Sequence, residues 1–187
     1  MTEAKTLWQA PLVVFTGGEP LAYRSEGRGV IDIIEGHPEQ LFLIFTNGTL
    51  LDETAAARLG RAGNATLAFS LEGMRASTDQ RRGPGTFDRV RKSMALTREA
   101  GFPFGVSLTA TSSNCDELLS DEFLDFCFSD QGAFYGFLFM YMPMGCGADE
   151  ARTAVRVSVG PGTVAAEIDG FVAALAGIVA ARLGRGA

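Results

Sequence analysis

The sequence predicts an α/β domain built around a parallel sheet. Two observations carry this: short apolar runs rich in β-branched and aromatic residues recur along the chain, and segments of helical spacing lie between them. The runs are "LVVF" at 12–15, "LFLIF" at 41–45, "ATLAFS" at 65–70, "FGVSLTA" at 104–110 and "FYGFLFMYM" at 134–142. A strand followed by a helix roughly every thirty residues is the pattern of right-handed βαβ units. The nearly unbroken apolar character of the strands fits a sheet covered on both faces.

The helices come in order between these strands. Ile31, Ile33 and Ile34 place a short one ahead of "EGHPE". After the second strand comes Asn47-Gly48, a hairpin dipeptide. The next segment, "LLDETAAARLG", has helical spacing at Leu51, Ala55 and Leu59 rather than a second strand. The dipeptide therefore belongs to a strand-to-helix loop, with Thr49 as the expected cap and Asp52 in the first turn. The glycines of "GRAGN" stop that helix. Phe87, Val90, Met94 and Leu96 lie on a longer helix ending at Gly101, and Leu118, Phe123, Phe126 and Cys127 share an apolar face before Gly132.

At 187 residues and 47% hydrophobic content the chain suits one packed domain. Its net charge of −6 argues against nucleic acid or an anionic membrane surface as the main partner. The segment "MTEAKTLWQAPL" lacks the layout of a signal peptide, and "GFVAALAGIVAA" is too short to span a bilayer, so a cytoplasmic protein is expected. Cys115, Cys127 and Cys146 are an odd number at wide spacing and indicate no disulfide framework.

In a parallel α/β sheet the loops at the strands' carboxyl ends share one rim, where ligands bind. Here that rim collects "TGGEP", "TNG", "SLEG", "TATSSNC" and "YMPMGCG". Strand-to-helix loops favour Gly, Ser, Thr and Asn in any case. Five such loops with single carboxylates in two of them nevertheless describe a binding face.

The sequence resembles the radical S-adenosylmethionine (radical SAM) family. The resemblance runs over roughly residues 11–145 and rests on "VVFTGGEPL", "FTNGTLL", "FSLEGMRASTDQRRGPGTFDRVRKSM" and "AGFPFGVSLTATSSN" in register. It implies a partial (β/α) barrel of about five parallel strands that holds SAM against a [4Fe–4S] cluster. In such a family the reduced cluster would pass one electron to SAM, whose sulfonium C–S bond breaks to methionine and a 5′-deoxyadenosyl radical. It also implies roles for residues. Gly17 and Gly18 would present carbonyls to the SAM ammonium, with no Cβ in the way, Glu19 would add a carboxylate, and Pro20 would fix the turn. Thr46 and Arg82, or its neighbour Arg81, would donate to the SAM carboxylate. Ser70 or Glu72 would take the ribose hydroxyls, and Asn114 the sugar or adenine.

The sequence departs from the family at one place. The family's cluster is held by C-x3-C-x2-C upstream of Gly-Gly-Glu-Pro, and no cysteine precedes Gly17 here. Thiolates are what such a cluster requires. Cys115 and Cys146 fall in rim loops and Cys127 on an apolar helix face, so no substitute cluster site is expected. The reading is a barrel lacking its first βα unit, incapable of radical chemistry as it stands. The alternatives are a non-catalytic module binding SAM or a protein, and a fused or degraded gene product without selected activity. An exposed edge on the "LVVF" strand is expected to promote self-association unless other parts of the chain cover it.

Beyond residue 145 the character changes. Residues 146–153 read as a linker, and 154–187 as a strand and an amphipathic helix with Val164, Ile168, Phe171, Val172, Leu175, Val179 and Leu183 on one face. This tail resembles the carboxyl end of class V aminotransferases and cysteine desulfurases, which would match Arg156 to a carboxylate-binding arginine. No Schiff-base lysine or cofactor domain accompanies it, and a pyridoxal-phosphate activity is not expected.

Overall fold

The computed structural model describes residues 12–141 and the backbone of 157–159. Strands β1 (Leu12–Phe15), β4 (Leu41–Thr46), β5 (Ala65–Leu71), β6 (Phe104–Ala110) and β7 (Gly136–Met140) pair in that order, all parallel, into a curled half-barrel. β8 (Val157–Val159) adds antiparallel to β7. A two-stranded hairpin, β2 (Arg24–Ser25) and β3 (Arg28–Gly29), stands apart from the sheet. The expected five-stranded partial barrel is present.

Helices α1 (Val30–Glu35), α2 (Glu53–Ala62), α3 (Arg75–Arg82) and α4 (Thr86–Glu99) come next along the chain, then the short α5 (Cys115–Leu118) and α6 (Asp121–Leu124). A π-helical turn at Asp125–Asp130 completes the last crossover. Alternation along each strand decides what the helices cover. Phe42, Ile44, Leu67, Phe69, Leu71, Phe104, Val106 and Leu108 face outward into one core with Leu59, Phe87, Val90 and Met94. The register leaves Leu43, Phe45, Ala68, Ser70, Ser107, Phe137 and Phe139 on the inner face. Phe45 meets Phe137 and Phe139 there, at centroid distances of 5.2 and 5.9 Å.

Two expectations change at this level. Asp52, not Thr49, caps α2: its carboxylate accepts from the Ala55 N–H at 2.7 Å. Thr49 instead donates from its amide and its hydroxyl to the Asn47 side-chain oxygen, closing an Asx turn one step earlier. The segment between β5 and α4 also holds a separate helix, α3. Asp79 near its end caps the next helix, accepting from the Gly85 and Phe87 amides. Those two N–H groups hold the Asp79 carboxyl below its ordinary value.

The one described strand of the tail lies on the side of the sheet away from β1. β8 pairs with β7, whereas β1 has no second neighbour among the described residues. Leu12 and Val14 on β1 are 44% and 45% exposed. The tail helix, the linker, Cys146 and Arg156 lie outside the described residues. So do residues 1–11. Among the described residues no helix is long and apolar enough to cross a membrane.

One packing detail fixes the middle of the sheet. Tyr135 crosses beneath β6, and its hydroxyl meets the Thr66 hydroxyl at 2.7 Å and donates to the Leu67 carbonyl at 3.0 Å on β5. Burial pushes its phenol up to about 12. The crossing is possible because residue 105 is glycine: a Cβ there would run into the Tyr135 ring. We expect Gly105→Ala to destabilise the fold by about 1–3 kcal/mol, as overpacking does. A urea midpoint equal to that of the unsubstituted chain would contradict this.

Candidate functional site

The rim at the strands' carboxyl ends is organised by two hydrogen-bonded clusters. The first lies after β1. Gly17 and Gly18 have φ of +84° and +56°, backbone that side-chain-bearing residues rarely adopt. Nothing lies within 4 Å of where a Cβ would stand on either glycine, so the turn faces open space. Pro20 opens a short 3-10 turn, Pro20–Ala22. Glu19 caps it through Oε1, which accepts from the Leu21 N–H at 3.0 Å.

Glu19 also reaches the next strand. Its Oε1 accepts from the Thr46 hydroxyl at 2.7 Å, and its Oε2 from the Asn47 N–H at 2.8 Å. All three donors are neutral, and among the described residues no cationic side chain pairs with this carboxylate. Thr46 is buried and in turn accepts from the Gly48 N–H at 3.0 Å. The sequence pointed Thr46 at a ligand carboxylate; in the structure its proton goes to Glu19.

The second cluster lies after β5. Glu72 is 1% exposed. Arg81 donates to its Oε2 at 2.8 Å and Arg82 to its Oε1 at 2.9 Å. Both arginines sit in the last turn of α3, and their side chains reach back to the loop from which the helix started. The guanidinium of Arg81 also stacks over the Tyr141 ring, 5.2 Å from its centroid. One carboxylate against two guanidiniums leaves this cluster with a net positive charge. Glu72 and Arg82, expected as separate ligand contacts, are thus each other's partners. Thr78 ties the loop down further, donating to the Gly73 carbonyl at 2.7 Å and accepting from the Glu72 N–H at 3.1 Å.

Asn114 is buried, and its side chain is fully engaged. Its amide donates to the carbonyls of Glu72 at 2.9 Å and Thr109 at 3.1 Å, and its oxygen accepts from the Thr111 amide and hydroxyl. It joins the β5 and β6 loops. Ser70, half-buried on the inner face and in register with Ser107, has no hydrogen-bond partner for its hydroxyl among the described residues. Of the residues expected to meet a ligand, Gly17, Gly18 and Ser70 face the open side of the rim. Glu19, Thr46, Glu72, Arg82 and Asn114 build its walls. Sequence reasoning did not pick out Glu117, which also braces this loop, because its partners lie about forty residues away in sequence.

Comparison with known proteins places the arrangement. The family model described as the radical SAM superfamily matches residues 1–112. The chain belongs to the radical SAM superfamily. An AdoMet-dependent heme synthase from Methanosarcina barkeri is 33% identical over 150 residues, covering 77% of this chain and 41% of that protein. An Fe-coproporphyrin III synthase from the same organism is 29% identical over 118 residues, 58% of this chain and 27% of that protein. The chain thus spans less than half the length of either curated relative. Among solved structures, Streptococcus suis SuiB bound to S-adenosylmethionine superimposes with a TM-score of 0.61 at 20% identity, over 72% of this chain and 30% of that one. The enzyme anSMEcpe with bound AdoMet superimposes at 0.57 and 19% identity, over 70% and 36%. Both share the half-barrel.

SAM and a [4Fe–4S] cluster are the cofactors of this radical SAM family. The residues present fit the first: an open glycine turn carrying negative charge, and a positive cluster two strands away. The described residues do not fit the second. Cys127 is buried, and desolvation pushes its thiol up to about 12, whereas iron binds thiolates. Among the described residues no group of three or more His, Cys, Asp and Glu converges as a metal site.

Proposed function

We propose that this radical SAM domain binds SAM across its rim and, with its own residues alone, does not cleave it. The observation that carries the reading is the charge polarity of the rim. SAM's amino-acid end is a zwitterion. Its ammonium suits the Gly17–Glu19 turn, where a carboxylate with no cationic partner among the described residues stands beside backbone that can be approached closely. Its carboxylate suits the excess positive charge of Arg81 and Arg82 around Glu72. Ser70, with its hydroxyl available on the inner face, suits the ribose. In a complete enzyme a bound cluster would supply the electron for radical formation. Among the described residues Cys115 and Cys127 form no converging thiolate set for it.

The identity to two tetrapyrrole enzymes makes an iron porphyrin the first substrate to test for a complete enzyme containing this domain. The β1 edge, with Leu12 and Val14 exposed, supports self-association of the isolated domain. One preparation tests the set. After anaerobic incubation with iron and sulfide, calorimetry should show SAM binding, and chromatography should show no 5′-deoxyadenosine after dithionite. Light scattering should give twice the chain mass. Absence of heat at high SAM concentration would sink the binding reading. Stoichiometric iron with 5′-deoxyadenosine formation would overturn the claim of inactivity, and a monodisperse monomer that of self-association.

A further inference from the structure

Glu117, on α5, belongs to neither arm of the rim described so far, yet it holds one of them in place. Its Oε1 accepts from the Met74 N–H at 2.8 Å, and its Oε2 accepts from the Ser77 hydroxyl. Met74 is the N-cap of α3, and its own side chain makes no capping bond. A helix start leaves N–H groups without intrahelical partners, and here the acceptor is supplied from 43 residues further along the chain. The residue before the cap, Gly73, has φ of +134°, and a Cβ there would stand 2.6 Å from the Glu117 carboxyl carbon. The loop is therefore shaped to admit this carboxylate.

The same short segment makes a second attachment. Asn114, which precedes α5, donates to the Glu72 carbonyl. Residues 114–117 thus grip the loop at Glu72 and at Met74, while Arg81 and Arg82 from the far end of α3 grip the Glu72 side chain. The loop that carries Glu72, just after Ser70 at the end of β5, is closed into a ring through α3, and Glu117 fixes where α3 begins.

We propose that Glu117 is a positioning residue that sets the Ser70–Met74 segment in the geometry receiving the nucleoside end of SAM. This rests on the SAM-binding reading above. Hydrogen exchange and calorimetry on the full chain test it, using Glu117→Ala, Glu117→Gln and Ser77→Ala with SAM and with 5′-methylthioadenosine, which lacks the amino-acid end. Glu117→Ala should speed exchange at residues 71–77 about tenfold with β4 and β6 unchanged, and weaken 5′-methylthioadenosine about tenfold. Glu117→Gln should restore both, because its amide oxygen accepts from Met74 and its NH2 donates to the Ser77 hydroxyl. Ser77→Ala should show a smaller loss in the same direction. Unchanged exchange at 71–77, exchange raised uniformly through the fold, or unchanged nucleoside affinity with a loosened loop would each overturn the proposal. A parent chain that binds neither ligand overturns the SAM reading instead, and exchange then still decides whether Glu117 holds the loop.

Discussion

Replacing Arg81 and Arg82 together by methionine is expected to destabilise the fold by about 3–5 kcal/mol, the range for a buried ion pair stripped of its partner. The reason is Glu72, 1% exposed, whose two oxygens are met by these two guanidiniums. Methionine keeps much of the aliphatic contact and removes the charge, so the loss reports on the abandoned carboxylate rather than on lost packing. Adding Glu72→Met to the pair should recover most of the stability, since an apolar replacement of the whole cluster leaves no buried charge. Urea unfolding of the double and triple variants measures both steps. A double variant within about 1 kcal/mol of the parent would show that water reaches Glu72 and that the cluster does not brace the loop.

The second large effect is expected at Glu19. Its carboxylate accepts from the Leu21 amide, the Thr46 hydroxyl and the Asn47 amide. Glu19→Ala leaves those donors unpaired and should destabilise by about 2–3 kcal/mol. It should also weaken SAM about tenfold or more, because the negative charge beside the glycine turn goes with it. Glu19→Gln is the sharper variant. Leu21 and Asn47 present N–H groups to opposite oxygens, so one of them would face the NH2 of glutamine, donor against donor. The glutamine variant should therefore lose nearly as much affinity as the alanine one. Wild-type calorimetry with Glu19→Gln would refute this account of the turn.

Much of the architecture was legible from the amino acids because local pattern and global fold agree here. Each apolar run became a strand, and Asn47-Gly48 did sit in a strand-to-helix loop despite its hairpin preference. The sequence marks Gly17 and Gly18 as backbone open to close approach, and the structure gives both a positive φ. The errors have physical causes. Thr49 and Asp52 are both good caps, and what separates them is an Asx turn at Asn47 that occupies Thr49. The helix α3 escaped notice because "RASTDQRR" is polar and only Thr78 in it is buried, so it has no apolar stripe.

At the site, residue types were readable but their partners were not. Glu72 and Arg82 were recognisable as polar groups of the rim. Their mutual pairing depends on arginine side chains reaching from the last turn of α3 to the loop that precedes it. Glu117 offered no signal at all, since its bonds to Met74 and Ser77 join segments from separate βα units. Local patterns encode neighbours three or four residues apart, and a contact across about forty residues becomes visible only with the sheet assembled.

The two clusters on the rim are each closed on themselves: Glu19 binds β1's turn to the end of β4, and Glu117 with Asn114 binds β5's loop to the start of α5. A molecule lying across both becomes a crosspiece between two separately stiffened halves. A substitution that loosens either half is felt by the whole ligand, including atoms it never touches.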